Sequence, residues 1–525
     1  MRRWSIIPAK SGPFVEALSH NRGCPCETGT GEQMKRAALS AALATTLSTA
    51  NAASAEMRPE QLTGWWRGTV SHAGESKDMY LHFEQRNGKP FVRFSIPWIA
   101  ADGSPLGPYK VDGQKVTFPA AGWALEANED ATALSGTIPA DIIPVYQLRT
   151  RFERSAPPVQ PKAEAAGEAP KPVWQAKLDS AVFAPLTYDR TSRNVIAATD
   201  SGTVTALAAS TGKVRWSVRL GSPIRATATI ANDGIYVATD KGVTKVREGN
   251  GRPIWSRDFT GTLVPRKDMS DPASRWDHYS SSVVLSDRLA VVGSRDGCIY
   301  ALNQRDGAIR QRICGKDAIT STPVVSGGKV YFSSFDNKLY AADLKTGGNL
   351  WTTDLKAPAP GDLVLANGRI IAGSRTYDLT THDPGTGKVD WTNYFWFSWV
   401  DSAPILDRGR LFVGSSDGLR VSSIDPANGR TVWSSFIGGW AWARPAADAN
   451  TVYAGAVGNP NMPYIGPRVG GLAAISRTDG RLKWIFRPPH DPKAVISGFA
   501  AGPLAANGRV FAADLEGNVY AVSGD

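Results

Sequence analysis

A short string, glycine then a basic residue, two variable positions and tryptophan, recurs down this 525-residue chain at Gly212-Trp216, Gly251-Trp255, Gly387-Trp391, Gly429-Trp433 and Gly480-Trp484. Variants stand at Gly347-Trp351 and Gly307-Gln311, and successive glycines are 39, 56, 40, 40, 42 and 51 residues apart. A period near 40 with two insertions is the mark of a repeat architecture. Each unit reads as several short β-rich runs separated by polar turns, without helical periodicity. The unit is therefore a small sheet, and the array an all-β propeller.

Counting the units says how the ring closes. Seven carry the turn string, and Val519-Tyr520-Ala521-Val522 begins an eighth. The complementary half stands far upstream, where Val173 to Leu178 reads as a tryptophan strand without its turn, Trp174 lying 42 residues before Trp216. We therefore expect eight blades, the last assembled from both ends of the domain, so that no sheet edge is left open at the ring closure.

The residues of the repeat resemble those of the pyrroloquinoline-quinone (PQQ)-type propeller family, whose turn runs Ala-x-Asp-x-x-Thr-Gly-Lys-x-x-Trp. Ala342 to Gly347 and Asp383 to Trp391 match it best, and the likeness extends from Trp174 to the C-terminus. The resemblance implies that Trp174, Trp216, Trp255, Trp351, Trp391, Trp433 and Trp484 are structural, packing between neighbouring blades. It implies the fold strongly and the function weakly, since a fold hosts many functions.

The remainder divides as follows. Residues 1–33 are expected to be an upstream extension, with translation starting at Met34; 34–55 form a basic and then apolar signal peptide ending in small residues. Residues 57–154 contain short alternating strands broken at Asn87-Gly88 and Asp112-Gly113, the pattern of a small antiparallel barrel or half-barrel that resembles lipocalin-like domains. Residues 155–173, with five prolines among alanines and charges, read as an extended linker. Residues 174–525 are the propeller. No apolar run of spanning length follows the leader, and no cysteine follows its cleavage site to take a lipid, so a soluble periplasmic or secreted monomer is expected. The formal charge of +11 is scattered through turns and not gathered into a nucleic-acid footprint.

Cys298 and Cys314 flank the Asp306-Gly307 turn at nearly equal distances. A cross-strand disulfide is one outcome in an oxidising compartment. A register slip of one would point the side chains to opposite faces, and two independent buried thiols are the expected reading.

Aligned on Pro323, Pro404, Pro445 and Pro503, the units place Val182, Arg225, Tyr279, Thr320, Pro360, Asp401, Trp442 and Ala500 in one ring near the mouth of the inner strands. Asp277, His278, Trp399, Trp440, Arg444 and Phe499 flank it. Arg225, Tyr279, Asp401, Trp442, Arg444 and Phe499 are the candidate binding residues, either as a small-molecule funnel or as a protein-docking rim; side chains that merely plug the channel are the plainer alternative. Quinone dehydrogenases of this fold need a calcium ion held by carboxylate and amide oxygens beside an Asp base. Residues 174–525 hold only two glutamates, Glu248 and Glu516, neither at the mouth. Trp276-Asp277-His278-Tyr279 resembles the Trp-Asp-x-Asp base segment of the alcohol dehydrogenases but lacks the second acid. There is no Cys-Cys pair, no haem-attachment Cys-x-x-Cys-His, no His-Glu-x-x-His and no phosphate loop.

Two functions follow from the resemblance. The expected one is a non-catalytic periplasmic scaffold similar to the BamB family of outer-membrane assembly proteins, with an envelope protein partner and no cofactor. The alternative is a divergent PQQ-dependent alcohol or sugar dehydrogenase, with calcium and with Asp277 as its catalytic base.

Overall fold

The computed structural model describes residues 57–138, 148–266, 277–459 and 468–524; the expected leader and upstream extension, Tyr146 and Trp276 lie outside them. The described residues between 57 and 154 form one nine-stranded antiparallel sheet. Its first strand, Gly64–His72, pairs with both Glu75–Arg86 and the last strand, Arg149–Arg154. Among the described residues, the unpaired edges belong to Ala101–Pro108 and Lys110–Asp112, consecutive strands separated by Tyr109, so the sheet is a nearly closed barrel. Strict alternation along Gly64–His72 turns Trp66, Gly68 and Val70 inward. Trp66, Phe83, Phe118 and Phe152 fill the interior with no exposure. Gly68 gives Phe152 its room, since a Cβ there would lie 2.6 Å from the ring.

The propeller has eight blades, as expected. Blades one to seven follow in chain order from Thr187–Asp189 to Leu482–Phe486. Blade eight is built from Leu504–Ala506, Arg509–Ala513 and Asn518–Ser523, with Trp174–Lys177 as its outer strand. Trp174 stands opposite Ala521 and Gln175 opposite Tyr520, which joins the two ends of the domain in one sheet.

The recurring string is a blade-to-blade joint. The indole N–H of Trp174 donates to Ala209 O at 3.0 Å, Trp216 to Glu248 O at 2.7 Å, Trp351 to Pro384 O at 3.1 Å and Trp433 to Arg477 O at 3.0 Å. In each case the acceptor stands three residues before the turn glycine of the next blade. That glycine has positive φ and lies flat against the ring: a Cβ on Gly212 would be 2.6 Å from Trp174, and one on Gly387 2.5 Å from Trp351. Gln311 keeps the joint in polar form, its amide donating to Lys345 O at 3.2 Å. Trp174, Trp216, Trp433 and Trp484 are buried, whereas Trp255, Trp351 and Trp391 are only half-buried. At the closure, residues 163–169 run beside Trp484. Ala166 and Gly167 donate backbone N–H groups to Leu482 O and Lys483 O at 3.0 and 2.9 Å, so this stretch of the linker is part of the ring wall.

The cysteine expectation is corrected. Cys298 and Cys314 are directly opposed and joined as a disulfide, and Cys314 is exposed. The reason is a β-bulge: Leu302 faces Ile309 beside the turn, but Ala301 faces Gln311, so the extra residue moves the register by one and brings Cys314 opposite Cys298 where Ile313 would otherwise stand. The same bulge recurs in the third-to-fourth strand pairing of blades one to seven.

Candidate functional site

Two kinds of connection meet on the upper face of the ring: those leading from an outer strand into the next inner strand, and the turns between second and third strands. The expected mouth residues lie on the first kind. The structure pairs them with residues on the second.

Arg225 grips Asp200 with both ends of its fork, at 2.7 and 3.0 Å, and its guanidinium lies 4.3 Å from the Phe183 ring centroid. Arg266 binds Asp240 at 2.6 Å and Asp277 at 2.9 Å. Asp277, 1% exposed, also takes Arg295 on both carboxylate oxygens, at 2.8 and 3.0 Å. Asp401, 2% exposed, is held by Arg375 at 2.8 Å, with the guanidinium 4.6 Å from the Trp399 centroid. Paired guanidinium and carboxylate groups satisfy each other in a space where either alone would be costly. Burial would lower the Arg375 pKa, but the adjoining Asp401 carboxylate outweighs it and the net shift is upward.

Aromatic rings fill the space between the pairs. His278 is buried against Tyr279 and Trp442, with centroids 4.0 and 5.5 Å away. Burial first, and then the charges of Arg225, Arg266 and Arg375, hold it well below the usual histidine range and therefore neutral. The Tyr279 hydroxyl donates to Trp442 O at 3.3 Å, and burial, aided by Asp401, drives its pKa well up. Trp442 stacks on Trp440 at 4.9 Å and donates to Ser416 Oγ at 3.0 Å. Ser416 stands in Gly414-Ser415-Ser416-Asp417-Gly418, which has the spacing of a nucleophile elbow. It lies on a strand-to-strand turn and its oxygen is taken by Trp442, so the string is structural.

The barrel leans on this face. Tyr394, Trp396 and Phe397 share its core, Trp396 donates to Glu75 Oε2 at 2.9 Å, and the Arg420 guanidinium lies 4.2 Å from the Trp98 centroid. Arg468 donates to Ile99 O at 3.0 Å, and Ala100 packs beside Trp440 and Trp442. Asp417 retains some accessible surface, yet its carboxyl is desolvated; burial, against the pull of Arg468, raises its pKa to about 6.

The structure thus brings together Arg225, Asp277, Tyr279, Asp401 and Trp442. Phe499 is placed elsewhere: fully buried, it packs on Phe486 and Tyr520 between the last two blades. Arg444 is exposed and lines the central channel. Sequence reasoning missed the counter-charges Asp200, Asp240, Arg295 and Arg375. Their signal was one column, the residue following Thr199, Thr239, Ser294 and Ser374 at the end of each second strand.

The residues do not fit a calcium-bound quinone. A hard dication needs several free oxygens, and the lone pairs of Asp277 and Asp401 are directed at guanidinium groups. No cluster of three metal-ligating side chains occurs among the described residues.

The family described as outer membrane protein assembly factor BamB matches residues 165–391 and 336–525, most of the chain and all of the propeller. The chain belongs to this family. Among curated relatives, outer membrane protein assembly factor BamB of Salmonella typhimurium is 25% identical over 43% of this chain and 70% of its own length. That of Escherichia coli is 23% identical over 50% and 80%. The match spans only 60% of the Shewanella oneidensis relative. Quinohemoprotein alcohol dehydrogenase ADH-IIG of Pseudomonas putida is 31% identical, but over 26% of this chain and 22% of the enzyme. Among solved structures, the computationally designed Ika8 protein and the quinohemoprotein alcohol dehydrogenase of Comamonas testosteroni each align with a TM-score of 0.51, at 14% and 12% identity, covering 67% and 68% of this chain and 99% and 77% of theirs. At such identities they show the fold alone. No helix among the described residues is long and apolar enough to cross a membrane.

Proposed function

We propose that this chain is a non-catalytic scaffold of the bacterial envelope, soluble in the periplasm as a monomer, whose partner belongs to outer membrane protein assembly. The observation that carries the reading is the state of the mouth. Asp277 and Asp401, the acids a quinone site would draw on, are spent on Arg266, Arg295 and Arg375. The family match and the BamB relatives support the same direction, and the short likeness to a quinohemoprotein dehydrogenase supports only the shared repeat.

We place the docking surface away from the mouth. Arg225 is paired and Trp442 is 5% exposed, so neither is presented to a partner as an anchor. The circumference offers a repeated alternative: Val214, Ile254, Leu350, Val389 and Val432 are exposed on outer strands, each one or two residues before a motif tryptophan. Apolar groups rimmed by lysine and arginine suit a protein interface. A photo-crosslinking residue placed at Leu350 or Val389 in the cell is expected to capture an outer-membrane assembly component, and one at buried Phe332 to capture none. Crosslinks confined to copies of this chain, or none from any rim position, would defeat the scaffold reading.

A further inference from the structure

A belt of hydrogen bonds circles half of the central channel. It involves the residue two positions before each inner strand: Pro185, Thr227, Ser282, Thr322, Asp362, Ala403, Arg444 and Gly502 in blade order from one to eight. The Thr227 N–H donates to Ser282 Oγ at 3.0 Å, the Ser282 N–H to Thr322 Oγ1 at 2.9 Å, and the Thr322 N–H to Asp362 Oδ1 at 2.8 Å. Each blade's amide is thus satisfied by an oxygen on the side chain of the next.

The belt then stops for a chemical reason. Alanine and glycine carry no acceptor, arginine is donor only, and proline offers neither a side-chain oxygen nor an N–H. The N–H groups of Arg444 and Gly502, which repeat the positions of Thr227, Ser282 and Thr322, have no acceptor among the described residues. A cavity of about 320 Å³ is lined by Pro185, Leu186, Leu406, Arg444, Gly502 and Leu504, among others. Arg444 is exposed and makes no ion pair among the described residues, while the one carboxylate in the wall, Asp407, is already bound by Arg477.

We propose that this cavity is a binding site for a small organic carboxylate. Its oxygens would take the place that Asp362 Oδ1 fills on the opposite side of the ring, accepting from the Arg444 and Gly502 amides and from the guanidinium fork, which suits a carboxylate in two-pronged contact. The leucine and proline walls favour an apolar body, and the volume suits a molecule about the size of benzoate. The site is independent of the scaffold reading, which would survive its failure.

The test is titration of the full chain with benzoate, followed by calorimetry or ligand-observed NMR, with benzyl alcohol and inorganic phosphate in parallel. Saturable 1:1 binding of benzoate is expected, at least about tenfold tighter than either comparison ligand, since only benzoate has both the charge and the apolar body. Arg444→Gln should weaken it about tenfold or more without moving the melting temperature, because the exposed side chain supports nothing else, and Arg444→Lys should recover only part. The assignment is overturned by absence of benzoate binding at millimolar concentration, by equal binding in Arg444→Gln, or by binding of phosphate in preference to benzoate.

Discussion

Trp351 lies with its six-membered ring against the Cα of Gly387 in the neighbouring blade, close enough that a Cβ on the glycine would stand 2.5 Å from the ring. Gly387 also has φ +73°, and its turn supplies Pro384 O to the indole N–H. Gly387→Ala therefore suffers twice, from left-handed backbone strain and from overpacking, and is expected to cost about 2–4 kcal/mol. Gly508→Ala, with φ +68° but nothing within 4 Å, should cost about 1 kcal/mol. Chemical denaturation of the two variants checks the difference; equal losses would mean that the joint carries no packing energy.

Trp351→Ala is expected to cost about 2–4 kcal/mol, somewhat less than a fully buried tryptophan, because the ring is half-buried. Gln311 is the corresponding weak joint. Gln311→Trp should raise the melting temperature, since the Gly347 turn already presents its glycine, with a Cβ only 3.0 Å from the amide. A lower melting temperature would show that the third and fourth blades have closed around the smaller side chain.

Blade number, ring closure and the tryptophan joint were legible in the sequence because each repeats, so that one reading is checked many times over. What the sequence concealed depends on single-residue offsets or on partners in another turn. The bulge at Ala301 and Leu302 changes no residue type, yet decides whether Cys298 meets Cys314. Arg225, Tyr279, Asp401 and Trp442 come together on one face, but the sequence does not show whether that face is open, because Arg225 reads as an available cation until Asp200, 25 residues away, is seen to hold it.

The disulfide closes a 16-residue separation, and on the chain-entropy account its loss should cost about 2–3 kcal/mol. Mapping of the oxidised protein should recover the Cys298–Cys314 crosslinked peptide, and Cys314→Ala should melt lower than the oxidised parent but level with the reduced one. Free thiols at both positions in protein purified from the periplasm would contradict the pairing.

Asp417 sets a pH dependence. Its folded pKa of about 6 is above the ordinary 3.8, so the folded state binds the proton more tightly and this contribution to stability is complete below pH 4. It is lost as pH rises through 6. Asp417→Asn, which stays neutral, should match the parent near pH 4 and become progressively more stable than it up to pH 7.5. A constant difference across that range would place the carboxyl in water.

That the mouth is closed by arginine–carboxylate pairs and does no quinone chemistry is our proposal. Its most direct test is titration of the purified chain with PQQ and calcium, following quinone absorbance and dye reduction with alcohol and sugar substrates. We expect no stoichiometric binding and no turnover; one PQQ bound per chain, abolished by Asp277→Ala, would overturn this reading.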